Sequence, residues 1–354
     1  MCKYNIACAK KQEIVDFSRN LIYVVLVSKL NKKQQVITKD QFEFMKAQAD
    51  FQDLYSKETV VVKIGGNAIV DPEKRAVLFD ELATIKRSMN TRLVIVNGGG
   101  PEINAVLSEM GIEKQFDKES GQRVTDDETL RGVKYALNTL SHDIAGALTN
   151  LGCHAMGMSA ADDNMVTANV KDGGRIGLVG EVQSVDTKNI EMLLKERRVP
   201  VINSVCSDGK GGQLNVNADM VAAHLAGAFK GRLILMTDID GVRQDINDPD
   251  SVIPSIDIAS GQIERLKKAG VVSKGMIPKV EACETALRLG ARKATIIEGE
   301  PLATSTELYT PDGTGTEFYN SKAGKQQIPL IKHLKQKRQN KFKLSSSLDN
   351  SRRP

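Results

Sequence analysis

The feature that most constrains the fold is an alternation of short apolar runs and amphipathic helical patterns between about residues 57 and 318. The apolar runs, such as "TVVVKI" from residue 59 and "RLVIV" from residue 92, have the length of strands, and helical patterns lie between them. This alternation is typical of a parallel sheet covered by helices, so the sequence predicts an α/β core. Helices are predicted at 72–89, 126–151, 257–269 and 276–289, and later strands at 199–205, 232–242 and 293–299.

Two strand ends run into glycine-rich turns that precede helices, "KIGGN" at 63–67 and "NGGGPEIN" at 97–104. Backbone amides at such a junction are unpaired and lie at the positive end of the helix dipole, so an anion can approach them closely. Either turn alone is equally well explained as a tight turn. Neither fits GxGxxG or GxxxxGK[ST], so the fingerprints of the dinucleotide-binding fold and of the P-loop are both missing.

Two lysines strengthen the indication of an anion site. Lys63 lies among apolar strand residues, and Lys279 in "SKGMIPKVEA" lies just inside a helix that otherwise has a buried pattern. A lysine in such surroundings must either extend to the surface or meet an anion, because an unpaired charge is costly at low dielectric. Two of them near glycine turns indicate a phosphate site.

Composition excludes several classes of protein. With 354 residues, 41% of them hydrophobic, the chain can build a large core. The run "LIYVVLV" at 21–27 is far shorter than the roughly 20 residues that cross a bilayer, and no cleavage site follows a basic start. Five scattered cysteines suit a reducing compartment better than disulfides or a zinc site. We expect a cytoplasmic protein without a membrane span, or an organellar one if the organism is a eukaryote.

The formal charge of +5 comes from the C-terminal tail. Residues 321–354 contain ten Lys or Arg and one acid, which is +9, so the other residues carry −4. We interpret this tail as solvated and disordered, with a nucleic-acid contact as the less favoured alternative. Residues 1–39 are also basic, but Glu13 and Asp16 interrupt them, which is not typical of an organellar presequence.

Six motifs in one order resemble those of the amino acid kinase family. The match spans about residues 59–318, and "RVTD" together with "NVNAD" resembles the branch whose substrate is N-acetyl-L-glutamate. The motifs are "VVVKIGG" at 60–66, "VIVNGGGPEIN" at 94–104, "GQRVTDDETL" at 121–130, "LNVNADMVAA" at 214–223, "LILMTDIDGV" at 233–242 and "GMIPKVEA" at 275–282.

The resemblance implies a three-layer αβα sandwich with an open, mainly parallel central sheet and a site at the carboxyl ends of its strands. It also implies a division of the chain. We expect an N-terminal extension at 1–57, a lobe for the amino-acid substrate at 58–230, an ATP-binding lobe at 231–320 and the basic tail at 321–354.

The implied reaction is the second step of arginine biosynthesis. ATP would phosphorylate the γ-carboxylate of N-acetyl-L-glutamate, giving an acyl phosphate. The resemblance implies catalytic roles for Lys63, Lys279 and Asp219, although Asn217 and Asp219 also fit a helix N-cap followed by a first-turn acid, and the two roles can coexist. It further assigns Gly99, Gly100, Arg123 and Asn215 to the amino-acid substrate, and Gly65 and Gly66 to the phosphoryl path.

The nucleotide would be ATP, with Mg²⁺ held by its phosphate oxygens and water and with no dedicated metal-binding residues. The segments "TDIDGV" and "VSKGM" resemble those that surround adenine and ribose in the family. Nucleotide contacts are therefore expected from Thr237, Asp238, Gly241, Val242, Ser273, Gly275 and Met276.

The family also suggests assembly and regulation. In arginine-inhibited members an N-terminal helix links dimers into a hexamer, and the amphipathic segment 41–55 is similarly placed, so we expect a homo-oligomer, a dimer or a trimer of dimers. The segment "ELYTPDGTGT" resembles the arginine site, with Glu307 and Gly313 as candidate effector contacts. Four departures are Asn97 in place of the usual histidine, a slightly longer loop at 116–124, a missing histidine before Glu307, and "GEPLATST" in place of a basic stretch.

Two alternatives stay open at this point. One is a kinase of the same fold that acts on an aminoadipate-type substrate, because sequence hardly reports the shape of a pocket. The other is a non-catalytic regulator, or a nucleic-acid-binding protein that uses the basic tail. The presence of Lys63, Arg123, Asn215, Asp219 and Lys279 favours catalysis.

Overall fold

The computed structural model describes residues 58–65, 71–89, 91–272, 274–300, 302–309 and 314–323. Its centre is a sheet of eight strands in the order β10-β12-β11-β9-β1-β2-β6-β3. These strands are β1 (Thr59–Ile64), β2 (Arg92–Asn97), β3 (Ala155–Ser159), β6 (Val199–Asn203), β9 (Arg232–Thr237), β10 (Ser255–Asp257), β11 (Lys293–Glu298) and β12 (Thr316–Tyr319).

The sheet is parallel at every pairing except that of β11 with β12. The predicted α/β class with an open, mainly parallel sheet is therefore confirmed. The central strands are buried on both faces, which explains their nearly continuous apolar sequences. The described helices are α1 (Pro72–Met89), α2 (Gly100–Glu109), α3 (Asp127–Asn150), α4 (Lys188–Lys195), α5 (Ala218–Ala228), α6 (Gln262–Lys268), α7 (Ile277–Arg288) and α8 (Ala303–Tyr309).

The helices form two layers, one on each face of the sheet. Alternate residues of β1 belong to different hydrophobic clusters, one on each face of the sheet. Val61 belongs to the cluster that contains residues of α4, α5, α6 and α7. Val60 and Val62 belong to the cluster that contains residues of α1, α3 and α8. Lys63 alternates to the same face as Val61 and therefore faces the layer that contains α5 and α7. This parity decides which helices can supply partners for its ammonium group.

Four short strands outside the central sheet form a small closed barrel, which the sequence did not predict. The run 199–205 was expected to be one strand, but β6 ends at Asn203, whose side-chain oxygen accepts a hydrogen bond from the amide of Val205. The chain there leaves the central sheet for the barrel. The barrel strands are β4 (Val166–Val170), β5 (Val179–Val185), β7 (Val205–Ser207) and β8 (Gln213–Val216).

The helix predicted at 257–269 is also corrected. Its first residue belongs to β10, and α6 begins only at Gln262. The Asp257 carboxylate accepts hydrogen bonds from the amides of Ala259 and Ser321, and Gly261 has a φ of 71°, so the chain turns before the helix can start.

The single sheet passes through both predicted lobes, because β9 pairs directly with β1. The boundary near residue 230 stays a prediction. The predicted oligomerisation helix at 41–55 and nearly all of the basic tail lie outside the described residues. In the part of the chain that the structure describes, no helix is long and apolar enough to cross a membrane.

Candidate active site

Lys63, near the carboxyl end of β1, meets Asp219 in the first turn of α5. Its Nζ atom lies 2.8 Å from Oδ1 of Asp219, and both side chains are buried. Asn217 caps α5 by accepting a hydrogen bond from the Asp219 amide at 2.7 Å. The capping role and the ion-pair role therefore coexist, because the cap fixes the backbone of the residue whose side chain carries the charge.

Lys279 completes the cluster from α7. Its Nζ atom lies 3.5 Å from Oδ2 of Asp219, so one carboxylate lies between two ammonium groups. Val280 anchors the first turn of α7 in the core, while the side chain of Lys279 stays partly exposed. The structure thus brings together three residues that span 216 positions of the chain.

The electrostatics of this cluster leave an excess of positive charge. Burial alone would raise the pKa of Asp219, but attraction to Lys63 and Lys279 outweighs it and holds that pKa below its usual value. Asp219 is therefore ionised at neutral pH. Within the described ranges no second carboxylate forms an ion pair with either lysine, so two positive charges share one negative charge. The cluster can accept an anion.

Glycines at the ends of β1 and β2 border this charge. A Cβ atom on Gly65 would lie 3.0 Å from the Met236 carbonyl oxygen and 3.6 Å from Nζ of Lys63. The absence of a side chain at Gly65 therefore lets β1 run close to β9 and leaves the ammonium group accessible. The second predicted phosphate-path residue, Gly66, lies outside the described residues.

Gly99 and Gly100 differ in why they are glycine. A Cβ atom on Gly99 would lie 2.8 Å from a methyl group of Leu137 in α3, so packing explains this position. A Cβ atom on Gly100 would meet no atom of the described residues within 4 Å. In the described part of the chain no side chain caps the start of α2, so the Gly100 amide is available to a ligand. Gly100 therefore fits the predicted approach of a substrate carboxylate better than Gly99 does.

The two terminal nitrogen atoms of the Arg123 guanidinium differ in their hydrogen bonding. Nη2 donates a hydrogen bond to Oδ1 of Asn104 at 2.6 Å, and the Phe116 ring lies 4.7 Å from Cζ. Nη1 is buried and has no hydrogen-bond partner among the described residues. Burial lowers the pKa of the guanidinium, which nevertheless stays charged, as arginine does in proteins. An uncompensated buried cation indicates an anionic ligand.

Thr125 joins Arg123 to Asn215. Its hydroxyl donates to the Arg123 carbonyl at 2.9 Å and accepts from Nδ2 of Asn215 at 3.1 Å. Thr125 in turn is paired with Gly177, where φ is 76° and a Cβ atom would lie only 2.2 Å from the Thr125 carbonyl oxygen. The loop that leads into β5 of the barrel thereby fixes the segment that carries Arg123. Sequence reasoning missed the contributions of Asn104 and Thr125, although both lie within the recognised motifs.

The predicted nucleotide residues surround the carboxyl end of β9 and the start of α7. Gly275 borders open space, and Met276 precedes α7. Thr237 is buried, and its hydroxyl accepts a hydrogen bond from the Ile239 amide. This hydrogen bond closes the turn that contains Asp238. Ser273 lies outside the described residues.

Val242 and Gly241 are built into the fold. The Val242 side chain lies in the core, its amide donates to Thr316, and its carbonyl accepts from Ile253. Both backbone polar groups of Val242 are thus engaged within the protein, and its predicted contact with the nucleotide stays a prediction. A Cβ atom on Gly241 would lie 2.6 Å from the Thr316 hydroxyl, so contact with β12 already explains this glycine.

Glu307, the predicted effector contact, is buried in α8 with its carboxylate engaged. Oε1 lies 3.0 Å from Nζ of Lys293 and accepts the Thr295 hydroxyl at 2.9 Å, while Oε2 accepts the Thr314 amide. A free guanidinium could pair with this carboxylate only by displacing Lys293. The second candidate, Gly313, lies outside the described residues.

Two further observations concern polar groups near the site. Asn97, at the end of β2, is fully buried, and neither polar atom of its amide has a partner in the described part of the chain. No group of three or more His, Cys, Asp or Glu side chains in that part could hold a metal ion.

A parallel α/β sheet with two lysines and a glycine turn at its carboxyl edge defines the class of a phosphoryl-transfer enzyme. The model of the amino acid kinase family matches residues 58–298, and the chain belongs to this family. The family expectation from the motifs is therefore confirmed, and the match contains the Lys63–Asp219–Lys279 cluster and the Arg123 pocket.

Within the family, the chain is similar to acetylglutamate kinases. It is 38% identical to the acetylglutamate kinase of Methanococcus aeolicus over 279 residues, which cover 75% of this chain and 92% of that one. It is also 38% identical to the Synechococcus sp. acetylglutamate kinase over 285 residues, 80% of this chain and 93% of that one.

A solved structure has the same fold. The N-acetylglutamate synthase of Neisseria gonorrhoeae, in complex with coenzyme A and N-acetyl-glutamate, superposes with a TM-score of 0.65. The match covers 78% of this chain and 63% of that one at 19% identity, so it supports the fold alone.

Proposed function

We propose that this chain is an ATP-dependent kinase that phosphorylates the γ-carboxylate of N-acetyl-L-glutamate. The observation that carries the proposal is the placement of Lys63 and Lys279 on the two oxygens of Asp219, at 2.8 and 3.5 Å. The identity with acetylglutamate kinases, which extends over more than nine-tenths of their length, supports this choice of substrate.

The chemistry requires charge neutralisation rather than a general base. A γ-carboxylate has a pKa near ~4.3 and is already a nucleophile at neutral pH. Its attack on the γ-phosphorus forms the new O–P bond of the acyl phosphate, while the bond to the ADP oxygen breaks. Negative charge spreads over the equatorial oxygens during the transfer, and positioned cations stabilise it.

Lys63 and Lys279 would supply those cations, and Asp219 would hold them in place. A lysine side chain is flexible, so fixing its ammonium group before the substrates arrive lowers the entropic cost of the transition state. Because one carboxylate serves two lysines, the cluster keeps a net positive charge for the phosphoryl group. Lys63 would contact the phosphoryl group in transit, and Lys279 the phosphates of the nucleotide.

The Arg123 pocket would bind the α-carboxylate of the amino-acid substrate. The buried Nη1 group of Arg123, which has no partner among the described residues, would donate to a carboxylate, and Asn215 is linked to the Arg123 backbone through the Thr125 hydroxyl. The amides at Gly100 and the start of α2 would receive the γ-carboxylate at the opposite end of the molecule. This arrangement would select the length of substrate whose γ-carboxylate reaches Lys63.

The nucleotide would lie along the start of α7 and the turn after β9, near Gly275, Met276, Thr237 and Asp238. A magnesium ion would be held by the nucleotide phosphates and water, as this ion commonly is, so the chain need not supply a dedicated acidic site. Bound there, it would neutralise phosphate charge alongside the lysines.

Assembly, regulation and location stay predictions. We propose a homo-oligomer, a dimer or a hexamer through the segment 41–55, in a cytoplasmic setting. An arginine bound at Glu307 would compete with Lys293 for the carboxylate. Calorimetry with arginine tests this directly, and an absence of binding heat would end the effector hypothesis.

Hydroxamate trapping of the acyl phosphate tests the proposed activity. The full chain is incubated with ATP, magnesium and a panel of acids that includes N-acetyl-L-glutamate, L-glutamate, N-acetyl-L-aspartate and N-acetyl-2-aminoadipate. We expect a hydroxamate from N-acetyl-L-glutamate and from none of the others. Product from the aminoadipate compound alone would move the proposal to the longer substrate, and no product from any acid would refute a carboxylate kinase.

A further inference from the structure

Asn104 lies one turn into α2, the helix that begins at the glycine triplet. Its Oδ1 accepts a hydrogen bond of 2.6 Å from Nη2 of Arg123, which comes from a different segment, 19 residues further along the chain. Asn104 is therefore the link between the predicted γ-carboxylate site at the start of α2 and the predicted α-carboxylate site at Arg123.

The guanidinium of Arg123 is planar and rigid, so a few contacts fix its orientation. Asn104 accepts a hydrogen bond from one amino group of the guanidinium. The centre of the Phe116 ring lies 4.7 Å from Cζ of Arg123. Phe116 is half-exposed, so it covers the guanidinium from solvent without enclosing it on its own. Among the described residues, the hydrogen bond to Asn104 is the contact that fixes how the guanidinium is rotated within its plane.

This rotation decides where the remaining donors point. With Nη2 held by Asn104, Nη1 is left buried and without a partner among the described residues. Burying a donor without a partner costs free energy, and that cost is relieved when an anion accepts its hydrogen bond. A neutral asparagine can orient the arginine without forming an ion pair, so the charge of the guanidinium stays available to the ligand.

We infer that Asn104 is a positioning residue for the amino-acid substrate, and that it acts by orienting Arg123 toward the substrate carboxylate. This inference rests on the proposed function. What it requires of residue 104 is an acceptor oxygen, and a negative charge there would compete with the substrate carboxylate for the guanidinium. Aspartate has the same shape and keeps that oxygen, whereas alanine removes it.

The test is a comparison of Asn104→Ala, Asn104→Asp and Ser108→Ala in the full-length kinase assay. Ser108 is an exposed residue of the same helix and serves as the control. Because hydrogen bonds to charged groups are strong, we expect Asn104→Ala to raise KM for N-acetyl-L-glutamate by roughly tenfold or more. KM for ATP and the melting temperature should change little. Asn104→Asp should lie between Asn104→Ala and the unsubstituted protein, and Ser108→Ala should match the latter.

The outcomes separate the inference from the proposed function. If the unsubstituted protein phosphorylates N-acetyl-L-glutamate and Asn104→Ala leaves its KM unchanged, the inference is wrong and the function stands. Equal losses for ATP and the amino acid, with a lowered melting temperature and no rescue by aspartate, would indicate a merely structural residue and also overturn it. If another acid is the substrate, the same comparison is made on that acid. If no acid is phosphorylated, the inference and the proposed function are both wrong.

Discussion

Nζ of Lys63 and Oδ1 of Asp219 lie 2.8 Å apart at the carboxyl edge of the sheet, where a strand end meets a helix start. The contact depends on the pleat of β1, because a shift of one residue would turn Lys63 toward α1 and α3. It also depends on the Asn217 cap, which fixes the first turn of α5. The ends of β1 and α5 thus place Lys63 and Asp219 together. The position of Lys279 follows from the packing of α7 against α5.

Replacing Asp219 with asparagine should lower turnover by about 100-fold. The two ammonium groups would lose the charge that holds them near each other and would separate, so that fewer molecules have both cations in place. Steady-state kinetics with both substrates measure the loss. Asp143→Asn makes the same chemical change at an exposed position of α3 and should keep full activity. Unchanged kcat in Asp219→Asn would show that Asp219 does not organise the lysines.

The same substitution gives a prediction about pH. The pKa of Asp219 is lowered in the folded state, so its ionised form stabilises the fold above the unfolded pKa of about 4. This stabilisation is lost as pH falls through the lower, folded pKa. The free energy of unfolding of Asp219→Asn should therefore be lower than that of the unsubstituted protein by about 3 kcal/mol at pH 7. The difference should shrink below pH ~4.

Chemical denaturation between pH 3 and pH 7 can follow this difference, with Asp143→Asn as the reference. A difference that grows toward acid pH would contradict the sign of the shift and the assignment of the ion pair. The measurement needs no substrate, so it tests the charge cluster independently of the proposed reaction.

Substitutions at Arg123 and Lys279 should affect different kinetic constants. Arg123→Lys loses the planar guanidinium that Asn104 and Phe116 orient, so KM for the amino acid should rise by roughly tenfold or more while kcat changes less. Lys279→Ala removes a cation of the transition state, so kcat should fall by about 100-fold.

Two exposed residues serve as controls for these variants, Arg131→Lys on α3 and Lys268→Ala on α6. Neither should alter the kinetics. The reverse pattern, with Arg123→Lys limiting turnover and Lys279→Ala limiting only the affinity for the amino acid, would refute the division of roles.

The α/β core and the contents of the lysine cluster could be predicted from sequence. Parallel strands place their carboxyl ends at one edge, so the glycine turns after β1 and β2 had to meet. Lys63 was detectable because a cation in an apolar strand needs a partner. The identity of that partner, Asp219, followed from resemblance, since an acid in a first helical turn is equally well explained as a favourable dipole contact.

The barrel and the Asn104 contact could not be predicted, and for different reasons. The strands β7 and β8 are only three and four residues long, and the register of β4 against β5 shifts between Thr167 and Ala168, so no clear alternation is left in the sequence. Asn104 is an ordinary polar position on a helix until the path of the Arg123 segment is known. That path is set by the pairing of Thr125 with Gly177, in the loop that leads into the barrel, which sequence did not show.

Gly177 should be essential to that path, and a matched pair of substitutions can test it. Gly174 and Gly177 both have positive φ, 87° and 76°, so alanine costs about 1 kcal/mol of backbone strain at either position. They differ in space: the nearest atom to a Cβ on Gly174 is a Val170 methyl at 3.8 Å, whereas a Cβ on Gly177 would lie 2.2 Å from the Thr125 carbonyl oxygen.

Gly177→Ala should therefore lower the free energy of unfolding by about 2 kcal/mol more than Gly174→Ala, because the clash is with backbone and cannot be relieved by a side-chain rotation. It should also raise KM for the amino acid, since moving Thr125 displaces both the Arg123 carbonyl and Asn215. Thermal unfolding and kinetics of the two variants side by side give both quantities. Equal effects at the two glycines would mean that the Arg123 segment does not depend on the pairing of Thr125 with Gly177.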